Sequence, residues 1–404
     1  MAVCVTAKSK SERKRIEMTS CCLSFVGCFL VPSLLVLLLL TLPVDSGCVG
    51  GHGAVFNFGD SNSDTGAFSA GLGVQLSLPG WIGVARREHP GESINASYLS
   101  PYLESLGSDF RGGANFAFSG ASTLPPNVPF SLAIQVQQFL RFKSRSMELV
   151  AQGTRGLIDS EAFESGLYVF DIGQNALAGA FSRSPSYNHV IRRIPSMVEQ
   201  IRKAIQNIYE IGGRNFRIHN TGPLGCLPQK LAQPRKDDSS LDENGCLIPY
   251  NNASKEFNAK LSTLCDELSL ELKNATFVYV DVYAVKYDLI ANYREYGFET
   301  AFMACCGHGG PPYNYNNDIG CGHPESQVCA IGSKYISWDG VHYTEAANSM
   351  VASKIMTAKY SNPTLVFGFF LQHVISYIFF SEMEISSTLS LSLRGVLNLN
   401  AKML

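Results

Sequence analysis

Charge is scarce in this sequence. Asp, Glu, Lys and Arg make up 16% of its 404 residues, and the formal net charge is only −2. A balance this even offers no grip to nucleic acid or to an anionic membrane surface. A nucleotide-binding glycine loop is also missing, because Gly71-Leu-Gly73 is too short and lacks the glycine spacing that should follow. Hydrophobic residues stand at 46%. That composition excludes a largely disordered chain and predicts a sizeable buried core. The length allows two domains, although a single α/β domain also reaches this size.

The one long apolar run lies at the start. Lys8, Lys10, Arg13, Lys14 and Arg15 form a basic lead-in, Cys21 to Pro43 is almost continuously apolar, and small residues follow at Ser46-Gly47. Residues 1–47 therefore read as a secretory signal peptide. The run is long enough for an uncleaved signal anchor to be the rival, and only then would a membrane be a partner. Of twelve cysteines, Cys4, Cys21, Cys22 and Cys28 belong to that segment and Cys48 stands at its border. Seven remain in the body: Cys226, Cys246, Cys265, Cys305, Cys306, Cys321 and Cys329. In a secreted chain these should be largely disulfide-bonded, with at least one thiol free or paired with Cys48; the spacing does not give the pairing. The sequons at Asn95, Asn252 and Asn274 agree with that route and mark candidate glycosylation sites. The expected location is extracellular or in a cell wall.

Ala54-Val-Phe-Asn-Phe is apolar and β-prone and runs into Gly59-Asp60-Ser61-Asn62, the pattern of a buried strand ending in a tight turn. Such an ending puts Ser61 at the carboxyl edge of a sheet, where open α/β sheets bind ligands. The plainer alternative is a serine that caps the next helix. Gly71 to Pro90 shows neither period. Arg111 to Ser122 reads as a short strand of small residues ending at Ser119-Gly120, where a Gly-Ala pair is expected to let the backbone approach its neighbours closely. Helical periodicity covers Ser131 to about Val150, Val190 to Ile211 and Lys255 to Leu272, and strands are expected over Leu167–Gly173, Phe216–Asn220 and Ala275–Val280. This alternation predicts a parallel sheet covered on both faces.

The loop Ala304–Asn317 is rich in Gly, Pro and Asn. Cys305, Cys306, His308, Cys321 and His323 around it allow a zinc site or a disulfide-pinned loop, and the secretory context favours the loop. Residues 363–404 are set apart as a tail. Their apolar stretch is short for a membrane span, is broken by Gln372 and His373, and does not end as a lipid-anchor signal would.

Asp339-Gly-Val-His342 is the second feature with chemical content. An Asp three residues before a His, on a turn or at a helix entrance, can accept the Nδ1–H and leave Nε2 as a base. A serine hydroxyl is a poor nucleophile until such a base takes its proton. A strand-end serine with a distal Asp-x-x-His is thus the minimum set for acyl transfer.

Gly59-Asp60-Ser61, the Gly120 segment, Gly173-x-Asn175 and Asp339-x-x-His342 stand in the order of the four blocks of the GDSL, or SGNH, hydrolases. From about Ala54 to about Tyr360 the chain resembles the plant GDSL esterase/lipase family. Thr221-Gly-Pro-Leu-Gly-Cys226, Gly309-Gly-Pro-Pro-Tyr313 and the stretch Ser337–Ala347 carry the likeness. The resemblance implies a secreted serine esterase acting on acyl esters, acetylated sugars or lipids, with no cofactor and no metal. It implies Ser61 as nucleophile, His342 as base and Asp339 as the residue orienting it. The Ser61 and Gly120 N–H groups and the Asn175 amide would form the oxyanion hole, with donors about 3 Å from the developing charge. It also implies a three-layer α/β/α flavodoxin-like sandwich over residues 50–362, with about five parallel strands.

Two departures accompany the likeness. The family carries a Pro-Tyr-Gly segment and a Gly-Arg-x-Ser-Asp-Gly-Arg motif between its first two blocks, and Gly71 to Asn95 has neither, which marks the second-strand region as altered. Ala176 follows Asn175 where the family often has Asp, which predicts a looser hold on the amide. The altered stretch supports a second reading, a secreted glycoprotein that keeps the scaffold with weak or no catalysis. A glycosidase, suggested by fucosidase-like names in the family, lacks the necessary carboxylate pair near the blocks.

Overall fold

The computed structural model describes residues 53–73, 99–125, 129–184 and 186–365. The leader 1–47, the Asn95 sequon, most of the departing stretch and the tail from 366 onward lie outside them. Within the described residues the strands are β1 (Val55–Gly59), β2 (Gly113–Asn115), β3 (Leu167–Asp171), β4 (Asn215–His219), β5 (Thr276–Val280), β6 (Cys306–Gly307), β7 (Gln327–Val328) and β8 (Ser361–Asn362). The helices are α1 (Ala67–Leu72), α2 (Leu132–Ala151), α3 (Ser160–Ser165), α4 (Gln174–Arg183), α5 (Tyr187–Glu210), α6 (Pro228–Leu231), α7 (Ile248–Glu271), α8 (Val282–Ala291) and α9 (Glu345–Met356).

The main sheet runs in the order β2-β1-β3-β4-β5-β8. Strands β1 to β5 are parallel, in the doubly wound order whose ligand crevice lies at the switch point beside β1. β8 pairs antiparallel with β5 and makes the sheet mixed. That strand holds only Ser361 and Asn362, so no apolar run announces it. β2 is three residues long and still forms the edge of the sheet beside β1, with Asn57↔Asn115 as its last pair with β1.

The parallel strands are hydrophobic because both of their faces are covered. Phe56, Tyr168, Phe216 and Phe277 are successive register partners across four strands, with ring centroids 5.2, 5.6 and 5.0 Å apart. Such cross-strand aromatic pairs add to simple burial. The face they define packs against α2, α5 and α7, through residues such as Phe139, Ile201 and Phe257. Along β5 the alternate positions Val278 and Val280 point into a second cluster with Val285 of α8 and Val351 of α9. The three-layer arrangement follows from this alternation.

Helix α7 starts seven residues earlier than its periodicity predicts, since Pro249 is tolerated in a first turn where its N–H has no partner to lose. The shorter α3, α4, α6 and α8 escape periodicity because they span too few turns. Three disulfides are present: Cys226–Cys246, Cys305–Cys329 and Cys306–Cys321. The odd thiol of the body is Cys265, free and buried. Cys305, Cys306 and Cys321 are thus consumed in bridges, and the zinc alternative loses its thiolates.

Candidate active site

β1 delivers Ser61, and side chains from other elements hold the strand end. Past the end of β2, Phe118 N–H still donates to the Gly59 carbonyl at 3.2 Å, and Gln135 of α2 adds a second partner there. Gly59 N–H donates to Gln135 Oε1 at 2.9 Å, while Gln135 Nε2 donates to the Gly59 carbonyl at 2.7 Å. One residue pair earlier, Asn57 Nδ2 donates to Asn115 Oδ1 at 2.8 Å, and Asn115 Nδ2 donates to the Ser63 carbonyl at 2.7 Å. These buried polar groups are satisfied by one another, as such groups must be.

Ser61 does not cap α1. Asp64 does that work, accepting from the N–H groups of Gly66 at 2.8 Å, Ala67 at 2.6 Å and Phe68 at 3.2 Å. Its Oδ2 also accepts from Ser119 N–H at 2.8 Å, which ties the serine block to the glycine block. Sequence reasoning missed both Asp64 and Gln135. The first stands two residues ahead of the N-cap Gly66, outside the position where a capping residue is looked for. The second is a lone polar residue in the apolar stripe Leu132–Val136–Phe139, where it is 0% exposed.

The distal pair arrives on a turn just ahead of α9. His342 Nδ1 lies 2.6 Å from Asp339 Oδ2, and His342 Nε2 lies 2.8 Å from Ser61 Oγ. A carboxylate can only accept, so Nδ1–H donates to Asp339 and Nε2 is left to accept from the Ser61 hydroxyl. Asp339 Oδ1 accepts from the N–H groups of Val341 at 2.9 Å and His342 at 2.7 Å. Burial pushes the Asp339 carboxyl up, but the His342 charge and these hydrogen bonds outweigh it and hold the pKa at about 2. Gly340 makes the turn possible, with φ at 90° and Tyr315 lying 2.3 Å from where a Cβ would sit.

The disulfide-pinned lobe carries this turn. Cys305 N–H donates to the Ser337 carbonyl at 3.0 Å and Cys306 N–H to the Trp338 carbonyl at 2.6 Å. The half-cystines of both lobe disulfides therefore hydrogen-bond directly to the backbone that precedes Asp339.

Asn175 sits in the first turn of α4, at the carboxyl end of β3, where the helix dipole adds positive potential. Its Nδ2 donates to the Ala121 carbonyl at 3.0 Å. That bond holds the amide without the carboxylate missing at position 176 and leaves its second hydrogen free for a ligand. Among the described residues the backbone N–H groups of Ser61 and Gly120 meet no acceptor. The expected reason for glycine at position 120 needs correcting. No heavy atom lies within 4 Å of where its Cβ would be, so the requirement is the left-handed φ of 83° and not close approach.

Behind the serine, Asp60 is buried. Desolvation, then the neighbouring Asp171 charge, push its carboxyl up to about 7 against hydrogen bonds from Asn62 and the attraction of Lys286. Of the candidate glycosylation sites, Asn252 is exposed on α7 and Asn274 is exposed just before β5.

The family model for GDSL-like lipase/acylhydrolase matches residues 55–355. The GDSL esterase/lipase LIP-4 of Arabidopsis thaliana is 49% identical over 352 residues, covering 83% of this chain and 94% of that protein. A second Arabidopsis thaliana GDSL esterase/lipase is 50% identical over 332 residues, covering 78% and 89% respectively. Alpha-L-fucosidase 3 of the same plant is 40% identical over 334 residues, covering 75% and 89%. A site built around a strand-end serine thus sits in a chain that belongs to the GDSL lipase/acylhydrolase family and is a carboxylic ester hydrolase.

Proposed function

We propose that the chain cleaves carboxylic esters through an acyl-enzyme on Ser61. The observation that carries this mechanism is the unbroken hydrogen-bonded chain Ser61–His342–Asp339. Oγ of Ser61 attacks the ester carbonyl as His342 Nε2 takes its proton. The imidazolium formed is stabilised by Asp339. The carbonyl oxygen becomes an oxyanion that accepts from Ser61 N–H, Gly120 N–H and the free hydrogen of the Asn175 amide. His342 then hands its proton to the departing alcohol. A water activated by the same imidazole hydrolyses the acyl-enzyme, the second oxyanion resting on the same donors.

A glycosidase would need two carboxylates flanking a glycosidic bond. Asp339 is engaged by His342 and Asp60 is 1% exposed, so neither supports that activity. A fluorophosphonate probe tests the ester mechanism. It should label the wild type and fail on Ser61→Ala; equal labelling of the two would overturn Ser61 as nucleophile.

The same reading takes the protein to be secreted and glycosylated. Three disulfides and two exposed sequon asparagines support it. Protein recovered from the medium should begin after residue 47 or close to it and lose mass on endoglycosidase treatment. Retention in the membrane fraction with the leader intact would favour the signal anchor.

A further inference from the structure

Beside the oxyanion donors lies a cavity of about 280 Å³ that the ester mechanism leaves unused. Gly120 and Asn175 both line it, and no residue of the Asp339–His342 turn does. The alcohol must leave next to His342 Nε2, so a cavity reached from the oxyanion donors and away from the imidazole suits the acyl half of the substrate. Its long wall is one face of α4. Asn175, Gly179 and Arg183 all border the cavity and recur every four residues, so this wall runs roughly 12 Å from the amide to the arginine at 1.5 Å per residue. Gly179 leaves that wall open, since a Cβ there would meet nothing within 4 Å. α5 contributes the facing wall through Arg193 and Met197, again four apart.

Two cations therefore border a cavity whose lining contains no carboxylate. Arg183 is exposed. Arg193 differs, because its Nε is shut off from solvent and meets no hydrogen-bond partner among the described residues. A guanidinium prefers carboxylate, which it takes in a charge-assisted and often bidentate pair. Liquid water occupies about 30 Å³ per molecule, so the cavity holds roughly nine non-hydrogen atoms, the size of a short dicarboxylic half-ester acyl group.

The geometry points to an acyl pocket selective for esters of dicarboxylic acids, in which Arg193, with Arg183 at its side, binds the distal carboxylate. The inference rests on the ester-hydrolase reading of the same site. Turnover of mono-4-nitrophenyl adipate is compared with that of 4-nitrophenyl hexanoate, which has the same chain length without the charge. The wild type should favour the adipate ester by about tenfold or more in kcat/KM, and the ratio should fall to within about twofold of unity in Arg193→Gln. A wild-type ratio at or below unity overturns the pocket whatever the variant does, as does a preference that survives in the Arg183→Gln/Arg193→Gln double variant.

Failure of the ester reading would look different, with neither ester turned over by the wild type. The pocket is then tested by calorimetric titration of adipate into the wild type and Arg193→Gln. Binding that the substitution removes upholds the proposal, and no binding to the wild type overturns it.

Discussion

Ser61 stands at the end of a strand hydrogen-bonded on both sides, in a sheet whose rings stack from strand to strand. Asp339 and His342 ride on a turn outside that sheet, held by Cys305, Cys306 and Trp338 in a lobe closed by two disulfides. The serine side owes its position to burial and sheet pairing, which give way only when the domain unfolds. The histidine side owes its position to local turns and covalent cross-links. The catalytic distance between Oγ and Nε2 is therefore set where two differently stabilised regions meet. Damage to the core should remove the fold together with the site, while damage to the lobe should remove the site first.

The largest effect is expected within the turn itself. Asp339→Asn keeps the shape but presents Nδ1 with a group that no longer fixes the tautomer, and kcat should drop by about 10⁴. The carboxyl at about 2 lies below its ordinary value, so its share of stability is present above about pH 4 and is lost as pH falls toward 2. The variant should accordingly lack that part of the acid transition. A fall in turnover of less than tenfold would remove Asp339 from the orienting role.

On the other side of the comparison, Phe56→Ala deletes a fully buried ring that stacks on both Phe163 and Tyr168. It should cost about 3–5 kcal/mol in urea unfolding, with activity and far-UV signal lost together. Activity lost well before the far-UV signal would contradict a serine held by the core.

Opening the Cys306–Cys321 bridge by a paired serine replacement should cost less, about 2–4 kcal/mol, and act in the opposite order. Turnover is expected to fall while sheet and helix signals persist. Parallel loss of both would mean that the lobe is not a separately yielding region.

Asp60→Asn is the mildest change. A carboxyl raised to about 7 binds a proton in the folded state that the unfolded chain has already released, so stability declines as pH climbs from about 4 to about 7. The amide avoids that decline while giving up the attraction of Lys286. The variant should therefore gain on the wild type across this interval by on the order of 1 kcal/mol, read from thermal melts at successive pH values. A gap that does not change with pH would show that the carboxyl is ionised throughout.

Much of this site was legible in the sequence because its signals are local. A β-prone run broken at Gly59 marks a strand end, and an Asp three residues from a His can meet it across a single turn. The supporting residues were harder to see. Gln135 looks like an imperfection in an apolar stripe until Gly59 is found beside it, and β8 has no hydrophobicity to betray it. The role of Gly120 was also misjudged, since sequence cannot separate a need for positive φ from a need for space.

By itself the sequence determined the parallel α/β plan and the family, and singled out Ser61, Asp339 and His342 as candidates, because these depend on periodicity and short-range spacing. Tertiary structure decided that Ser61 and His342, 281 residues apart, lie 2.8 Å from each other. It also decided which cysteines pair and that Arg183 and Arg193 border the cavity beside Gly120 and Asn175. Those outcomes depend on how separate elements pack, and the free energy of packing is shared among many residues rather than written in any short stretch of chain.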